Sequence, residues 1–154
     1  MLKAPTLVLT AAAIAVASLA LAQGRGNPAV DARKAQMHLQ LFYAGALGAM
    51  ARGKVPYDAA AAKTAADNLV LITSIDYASY FPEGTDNATI DDTHALPAIW
   101  QDMPGFLGHF DTLHSATTQL AATAGDGLDA LKANIGGAFK ACGGCHETYR
   151  APLK

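Results

Sequence analysis

Apolar residues recur at three- and four-residue steps along almost the whole chain, the period of an amphipathic helix. Four segments emerge. The first runs from about Val30 to Arg52, where Gly53 and then Pro56 stop it. It carries Leu39, Phe42, Ala46 and Ala49 on one stripe, with Met37, Leu41, Ala44 and Gly48 on an adjoining one. Asp58 is the expected N-cap of the second, which continues to about Tyr80 and is expected to bury Ala62, Ala66, Leu69 and Ile72. The third, from about Pro104 to Ala124, repeats Phe106, Phe110, Leu113, Thr117 and Leu120. The fourth follows Gly125-Asp126-Gly127 and reads Leu128, Leu131, Ile135, Ala138, Cys142, Cys145 and Tyr149, which sets both cysteines on the core-facing seam.

Connection lengths turn these segments into a topology. Helices one and two, and three and four, are joined by a few residues, so each pair is antiparallel. The link between helices two and three, roughly Phe81 to Ala98, is longer and holds Pro82, Gly84, Asp86, Asn87 and Pro97. A connection of that length can cross the end of a bundle or cover the edge of a cofactor. The predicted fold class is all-α: an antiparallel (up-down-up-down), left-handed four-helix bundle with crossing angles of about 20°. The small residues Ala44, Gly45, Ala46, Gly48 and Ala49 allow close helix approach inside that bundle.

The first residues read differently. Lys3 opens a short positive region, Leu7 to Leu21 is an apolar run, and Ala20-Leu21-Ala22 supplies a small-x-small cleavage pattern before Gln23. Residues 1–22 are therefore expected to be a secretory signal peptide and residues 23–154 a single exported domain. A retained membrane anchor is the competing reading, but the run is short for a bilayer span and poor in bulky side chains. No stable membrane insertion is expected after cleavage. The whole chain has 11 Lys and Arg against 13 Asp and Glu, a formal charge of −2, and losing Lys3 makes it more acidic. A basic stripe is missing, which argues against nucleic acid as a partner.

The chemistry sits near the C-terminus. Cys142-Gly143-Gly144-Cys145-His146 contains the only two cysteines, spaced as in the attachment signature of a c-type haem. Two thiols three residues apart can both add to the vinyl groups of one porphyrin. The imidazole that follows is then placed to bind the iron axially through Nε2. A zinc site would want four paired Cys or His ligands, and the other four histidines are scattered. A thioredoxin-like pair would want a βαβ setting, and a disulfide across three helical residues is awkward. Covalent haem c, with Cys142 and Cys145 as anchors and His146 as iron ligand, is the expected cofactor. Bacterial haem is joined covalently outside the cytoplasm, so the motif and the leader agree on the periplasm.

Taken together, these residues resemble the cytochrome c′ family, the monohaem four-helix-bundle cytochromes. The likeness covers essentially all of residues 23–154. It includes Arg33-x-x-x-Met37, Gly53-Lys54-Val55-Pro56-Tyr57-Asp58, Phe81-Pro82-Glu83-Gly84-Thr85, Ala98-Ile99-Trp100, and Lys140-Ala141 running through the cysteine motif to Glu147-Thr148-Tyr149-Arg150. The resemblance implies a haem exposed at one edge and held by the last helix. It implies that Arg33 pairs with a haem propionate and that Arg150 lies beside the proximal imidazole, where its charge favours ferrous iron. Each arginine also reads as an ordinary surface residue, Arg150 as a complement to the helix dipole. Tyr77 and Tyr80 occupy places where family members often carry aromatics lining the haem, although buried core aromatics give the same spacing.

Met37 decides the mechanism. By resemblance its side chain points at the distal face of the iron. In cytochromes c′ the matching residue usually does not coordinate and leaves an open site suited to NO and CO. In the related low-spin bundle cytochromes, of the c-556 kind, a methionine there coordinates and the site only shuttles electrons. Arg33 four residues earlier looks more like the c′ pattern, so open iron is favoured and the His/Met carrier is the alternative. Gly143 and Gly144 read equally as room for the porphyrin or as tolerated filler. Phe106 and Phe110 read as core. His109 and His114 are five apart, about 140° around a helix, and cannot chelate one metal. His38 points away from Met37, His94 reads as solvated, and Asp91-Asp92 as a surface turn. No nucleophile–base constellation appears, so no enzyme is expected. The expected partners are a redox protein and a diatomic gas, with a homodimer possible from the family.

Overall fold

The computed structural model describes residues 26–153; the leader expected over residues 1–22 lies outside them. The helices are α1 (Pro28–Ala51), α2 (Ala59–Thr73), the short α3 (Ala98–Gln101), α4 (Met103–Thr123) and α5 (Leu128–Tyr149), with a 3-10 turn at Ala78–Tyr80. The four long helices form a closed ring of neighbours: α1 packs on α2, α2 on α4, α4 on α5, and α5 on α1. The result is an antiparallel four-helix bundle. Among the described residues no helix is long and apolar enough to cross a membrane.

Local chemistry explains where each helix starts and stops. The side chain of Asn27 accepts from the Ala29 and Val30 N–H groups with Pro28 in the first turn, and Asp58 accepts from Ala61 N–H at 2.8 Å. Asp102 accepts from Gly105 N–H at 3.0 Å ahead of α4. The end of α1 is a left-handed glycine cap: Gly53 has φ +66°, its N–H donates to the Met50 carbonyl, and Lys54 N–H donates to Ala49.

The patterns of α4 and α5 hold. Phe106, Phe110, Leu113, Thr117 and Leu120 are all buried, as are Leu131, Ile135, Ala138 and Tyr149, while Leu128 and the two cysteines are half-buried. Two expectations fail. Helix α2 ends at Thr73, well short of Tyr80. The hydroxyls of Thr73 and Ser74 bond back to the Leu69 and Leu71 carbonyls, and Asp76 then caps Ala78 N–H, so local side chains offer the backbone another path. Ile72 is only half-buried and Thr73 takes the inner place. On α1, Leu39 is 50 % exposed and Phe42 68 %, so the stripe expected to face the core faces out. The inner positions belong instead to Val30, Arg33, Gln36, Gln40, Leu47 and Met50, three of them polar and hydrogen-bonded inside the fold. The small-residue run does serve packing: a Cβ on Gly48 would stand 3.1 Å from the Phe139 ring of α5.

The connection from Phe81 to Pro97 crosses the end of the bundle and lands on the end of α5. Leu96 N–H donates to the Tyr149 carbonyl at 3.0 Å and Ala151 N–H to the His94 carbonyl at 2.8 Å, with Ala95 and Arg150 paired between them. Trp100 Nε1–H ties the other end by donating to the Phe81 carbonyl.

Candidate functional site

The crossover end of the bundle holds a cavity of about 610 Å³, within the range of small-molecule and cofactor sites. All four long helices line it. Met37 and Leu41 come from α1, Thr73 from α2, Phe106, His109 and Phe110 from α4, and Cys142, Cys145 and His146 from α5. The cysteine motif and Met37 therefore share one chamber, on the neighbouring helices α5 and α1. Met37 and Cys145 also pack against the same aromatic cluster of Tyr77, Phe81, Phe106, Phe110 and Tyr149. Phe106 and Phe110 are both core and cavity wall, so the two readings of them merge.

Both thiols are unpaired. Burial pushes the Cys142 thiol up, and burial together with the neighbouring Cys142 charge pushes Cys145 to about 11, so neither is a ready nucleophile in the folded chain. Burial and then the charge of Arg150 pull the His146 imidazole below its ordinary value, which keeps it neutral and able to ligate. A Cβ added at Gly143 would meet no atom within 4 Å, and one at Gly144 would meet only the His109 ring at 3.8 Å. Protein packing therefore does not demand either glycine. The site suits a flat macrocycle on each count: two free thiols, a neutral imidazole, largely apolar walls and open space beside the glycines.

Arg33 lies in the cavity wall but is only 4 % exposed, and its charge is directed elsewhere. Its NH1 donates to Thr85 Oγ1 at 2.9 Å and, at 3.5 Å, to the Tyr80 carbonyl; its NH2 donates to the Thr85 carbonyl and, at 2.6 Å, to Thr93 Oγ1. The guanidinium also stacks 5.0 Å over the Phe81 ring. None of its hydrogen bonds uses Nε, the one donor it retains for another group. Burial lowers its pKa while Asp86 pulls it back up.

Tyr77 is buried, stacks on Phe110 and accepts from Gln36 Nε2 and Gln40 Nε2 at 2.6 and 3.0 Å while donating to the Ile72 carbonyl. It supports the cavity from behind and does not line it. Tyr80 borders a separate shallow groove between α1 and α2. Arg150 and the exposed His38 and His94 stand in the cavity wall, and Asp92 pairs with Lys34 at 2.7 Å beside them. His109 faces the cavity whereas His114 turns away to Thr73 Oγ1 at 3.1 Å, in keeping with their angular separation. Sequence reasoning missed Gln36, Gln40 and Thr93. Polar residues at inward helix positions give no periodic signal, and a crossover has no period at all.

A bundle that packs one end solidly and keeps the other open around two thiols and an imidazole is built as a c-type haem protein. Comparisons with known proteins narrow the class. The family model described as cytochrome c′ matches residues 28–150. The chain is 35% identical over 146 residues to cytochrome c-554 of Cereibacter sphaeroides, covering 95% of each. Its fold is similar to the solved cytochrome c′ from Rhodobacter sphaeroides, with a TM-score of 0.79 and 38% identity over 81% of this chain and 96% of that one. A nitric oxide complex of a variant cytochrome c prime from Alcaligenes xylosoxidans gives a TM-score of 0.70 and 29% identity, over 80% and 94%. The chain belongs to the cytochrome c′ family, and its cofactor is accordingly one covalently attached haem c with its iron. It is a monohaem cytochrome of electron transfer or gas binding.

Proposed function

We propose that this chain is an exported, periplasmic cytochrome whose α5 holds the haem and whose α1 keeps the distal side open for NO or CO. Cys142 and Cys145 form the two thioethers and His146 is the proximal iron ligand. The haem supplies a reversible one-electron couple and one axial position for a small ligand. Residues 1–22 are the export leader. The observation that carries this reading is the shared chamber: Met37, Cys142, Cys145 and His146 line one largely apolar cavity. His38, Asp91, Asp92, His94 and His109 also reach the cavity wall, but the lining is otherwise apolar, which supports a carrier over an enzyme. The relative solved with nitric oxide supports the gas ligand. Electron exchange with a redox protein uses the same site.

One observation favours a second reading. Met37 is half-buried in the cavity wall, so its thioether would be open to a haem held there by Cys142 and Cys145. In that reading both axial positions are filled by protein and the site carries electrons only. The ferric optical and EPR spectra separate the two. High-spin signals, with CO uptake after reduction, support the open site; low-spin signals with a far-red sulfur-to-iron band, lost in Met37→Ala, support the carrier. A homodimer is part of the same proposal. The apolar groove between α1 and α2 that holds Leu39 and Leu71 supports it, and sedimentation of the pure protein tests it.

A further inference from the structure

Two successive residues of α1 grip two successive residues of the crossover. Arg33 NH2 donates to Thr93 Oγ1 at 2.6 Å inside the fold, and Lys34 Nζ pairs with Asp92 Oδ1 at 2.7 Å on its surface. Thr93 Oγ1 also accepts from Ala95 N–H at 3.2 Å, which fixes the turn of the next two residues. Those residues then close the end of α5. Leu96 N–H takes the Tyr149 carbonyl, the His94 carbonyl takes Ala151 N–H, and Ala95 pairs with Arg150. The last carbonyls of a helix lack partners within it, so whatever satisfies them sets where the chain goes next. Here that is the strand-like step at Arg150, φ −120° and ψ 130°, whose N–H still donates to the His146 carbonyl at 3.3 Å.

The buried Arg33 makes this a stiff link. Its bonds fall on Tyr80, just ahead of the crossover, and on Thr85 and Thr93 within it, so the guanidinium knits both limbs of the connection to α1, one turn ahead of Met37. A buried cation held by neutral acceptors cannot give one up cheaply. The hydroxyl of Thr93 is the buried point where contacts from α1 pass to the segment that caps α5, beside the Asn87 N–H that donates to the Ala95 carbonyl at 2.8 Å.

We propose that Thr93 is a positioning residue: through Ala95 it holds Arg150 in register with His146, so that residues 93–96 act as a strap between the distal helix and the end of the proximal one. This rests on His146 being the iron ligand and Arg150 its charged neighbour. Loosening the strap lets Arg150 drift from the imidazole, and less positive charge near the iron disfavours the ferrous state. Thr93→Val therefore lowers the midpoint potential in the same sense as Arg150→Gln.

The test uses the haem-loaded protein throughout. Hydrogen exchange read by mass spectrometry should show peptides covering 93–96 and 149–153 losing protection together in Thr93→Val, by about tenfold, the worth of one hydrogen bond. Thr93→Ser, which keeps the hydroxyl, should restore both protection and potential. Thr89→Val removes a crossover hydroxyl bonded only to Asp86 and should change neither. The potential of Thr93→Val with Arg150→Gln should equal that of Arg150→Gln alone. Additive shifts, or exposure of 93–96 while 149–153 stays protected, overturn the proposal. Unmutated protein gives a further check: the two segments must open as one unit over a denaturant series, and separate openings overturn it even should Thr93→Val not fold. A protein that carries no haem refutes the underlying site instead, which a colour and a mass distinguish at once.

Discussion

The two ends of this bundle are made from the same four helices and packed by opposite means. At the end closed by Gly53 and Gly127 the core is small and aliphatic: Leu47, Ala62, Ala65, Ala66 and Leu131 fill it, and Leu69, Leu120 and Ile135 of the same cluster form the floor of the cavity. Tyr57 seals the far corner, donating to the Ala124 carbonyl at 2.8 Å and accepting from Gly127 N–H at 3.0 Å. At the crossover end the filling is aromatic, seven buried or half-buried rings beside a cavity, with Arg33, Gln36, Gln40, Thr85 and Thr93 buried among them. Alanines let helix backbones approach until nothing fits between them; rings and buried polar groups hold them apart at fixed distance. The comparison teaches that the closed end supplies the stability and the open end is shaped around a guest.

The largest effect that can break this contrast is removal of the guest's anchors. With Cys142→Ser and Cys145→Ser together, the purified chain is expected to be colourless, with a mass equal to the polypeptide alone. Its thermal midpoint should fall, because a group bound only by the folded state no longer favours that state. An unchanged midpoint would mean that the aromatic end is self-sufficient, and the contrast drawn above would collapse.

Next in size is truncation at the closed end. Leu131 is fully buried there and lies outside the cavity wall. Leu131→Ala is expected to cost about 3 kcal/mol in urea unfolding, the usual range for a buried leucine that leaves a hole. The ferric spectrum should not move. A spectral change from this variant would show that the two ends are coupled more tightly than their packing implies.

How much of this contrast could be read in advance depends on what lines each helix. The faces of α4 and α5 were legible because apolar side chains fill every inward position, so a period of 3.6 marks Phe106 to Leu120 and Leu131 to Tyr149 without ambiguity. The site motif was legible for a different reason: Cys142, Cys145 and His146 carry chemistry at a fixed spacing. The inner face of α1 was not. Arg33, Gln36 and Gln40 face inward because Thr85, Thr93 and Tyr77 meet them there, and those partners lie more than 35 residues away. Hydrophobic pattern alone therefore sent Leu39 and Phe42 inward. The end of α2 was missed because Thr73 and Ser74 compete for its carbonyls, a local effect that periodicity does not weigh.

Tyr77 gives a pH test of the open end. Burial pushes its phenol up to about 12 against an ordinary 10, the hydrogen bond from Gln36 partly opposing this. Its folded value exceeds the unfolded one, so the protonated form is favoured by folding. The associated stability is complete below pH 10 and is lost as pH rises from 10 to 12. Urea unfolding across that interval should show the loss, and Tyr77→Phe should flatten it. Equal slopes for the two proteins would place the Tyr77 hydroxyl in contact with water.

The smallest effect sharpens the contrast by staying local. Asp58 caps α2 at the closed end through Ala61 N–H, a single exposed hydrogen bond. Asp58→Ala should cost about 1 kcal/mol, as other lost N-caps do. Its midpoint potential, ferric spectrum and the exchange of residues 93–96 and 149–153 should match the unmutated protein. Thr93→Val also removes one side-chain group, yet at the other end it should move the potential and both exchange readings. Stability is not the telling distinction, although Thr93→Val, which loses two hydrogen bonds and unpairs a donor of the buried Arg33, should cost more than Asp58→Ala. The difference lies in where the lost bond sits: at a helix start whose far side is solid aliphatic core, or in a strap whose far side is the end of the helix that carries His146.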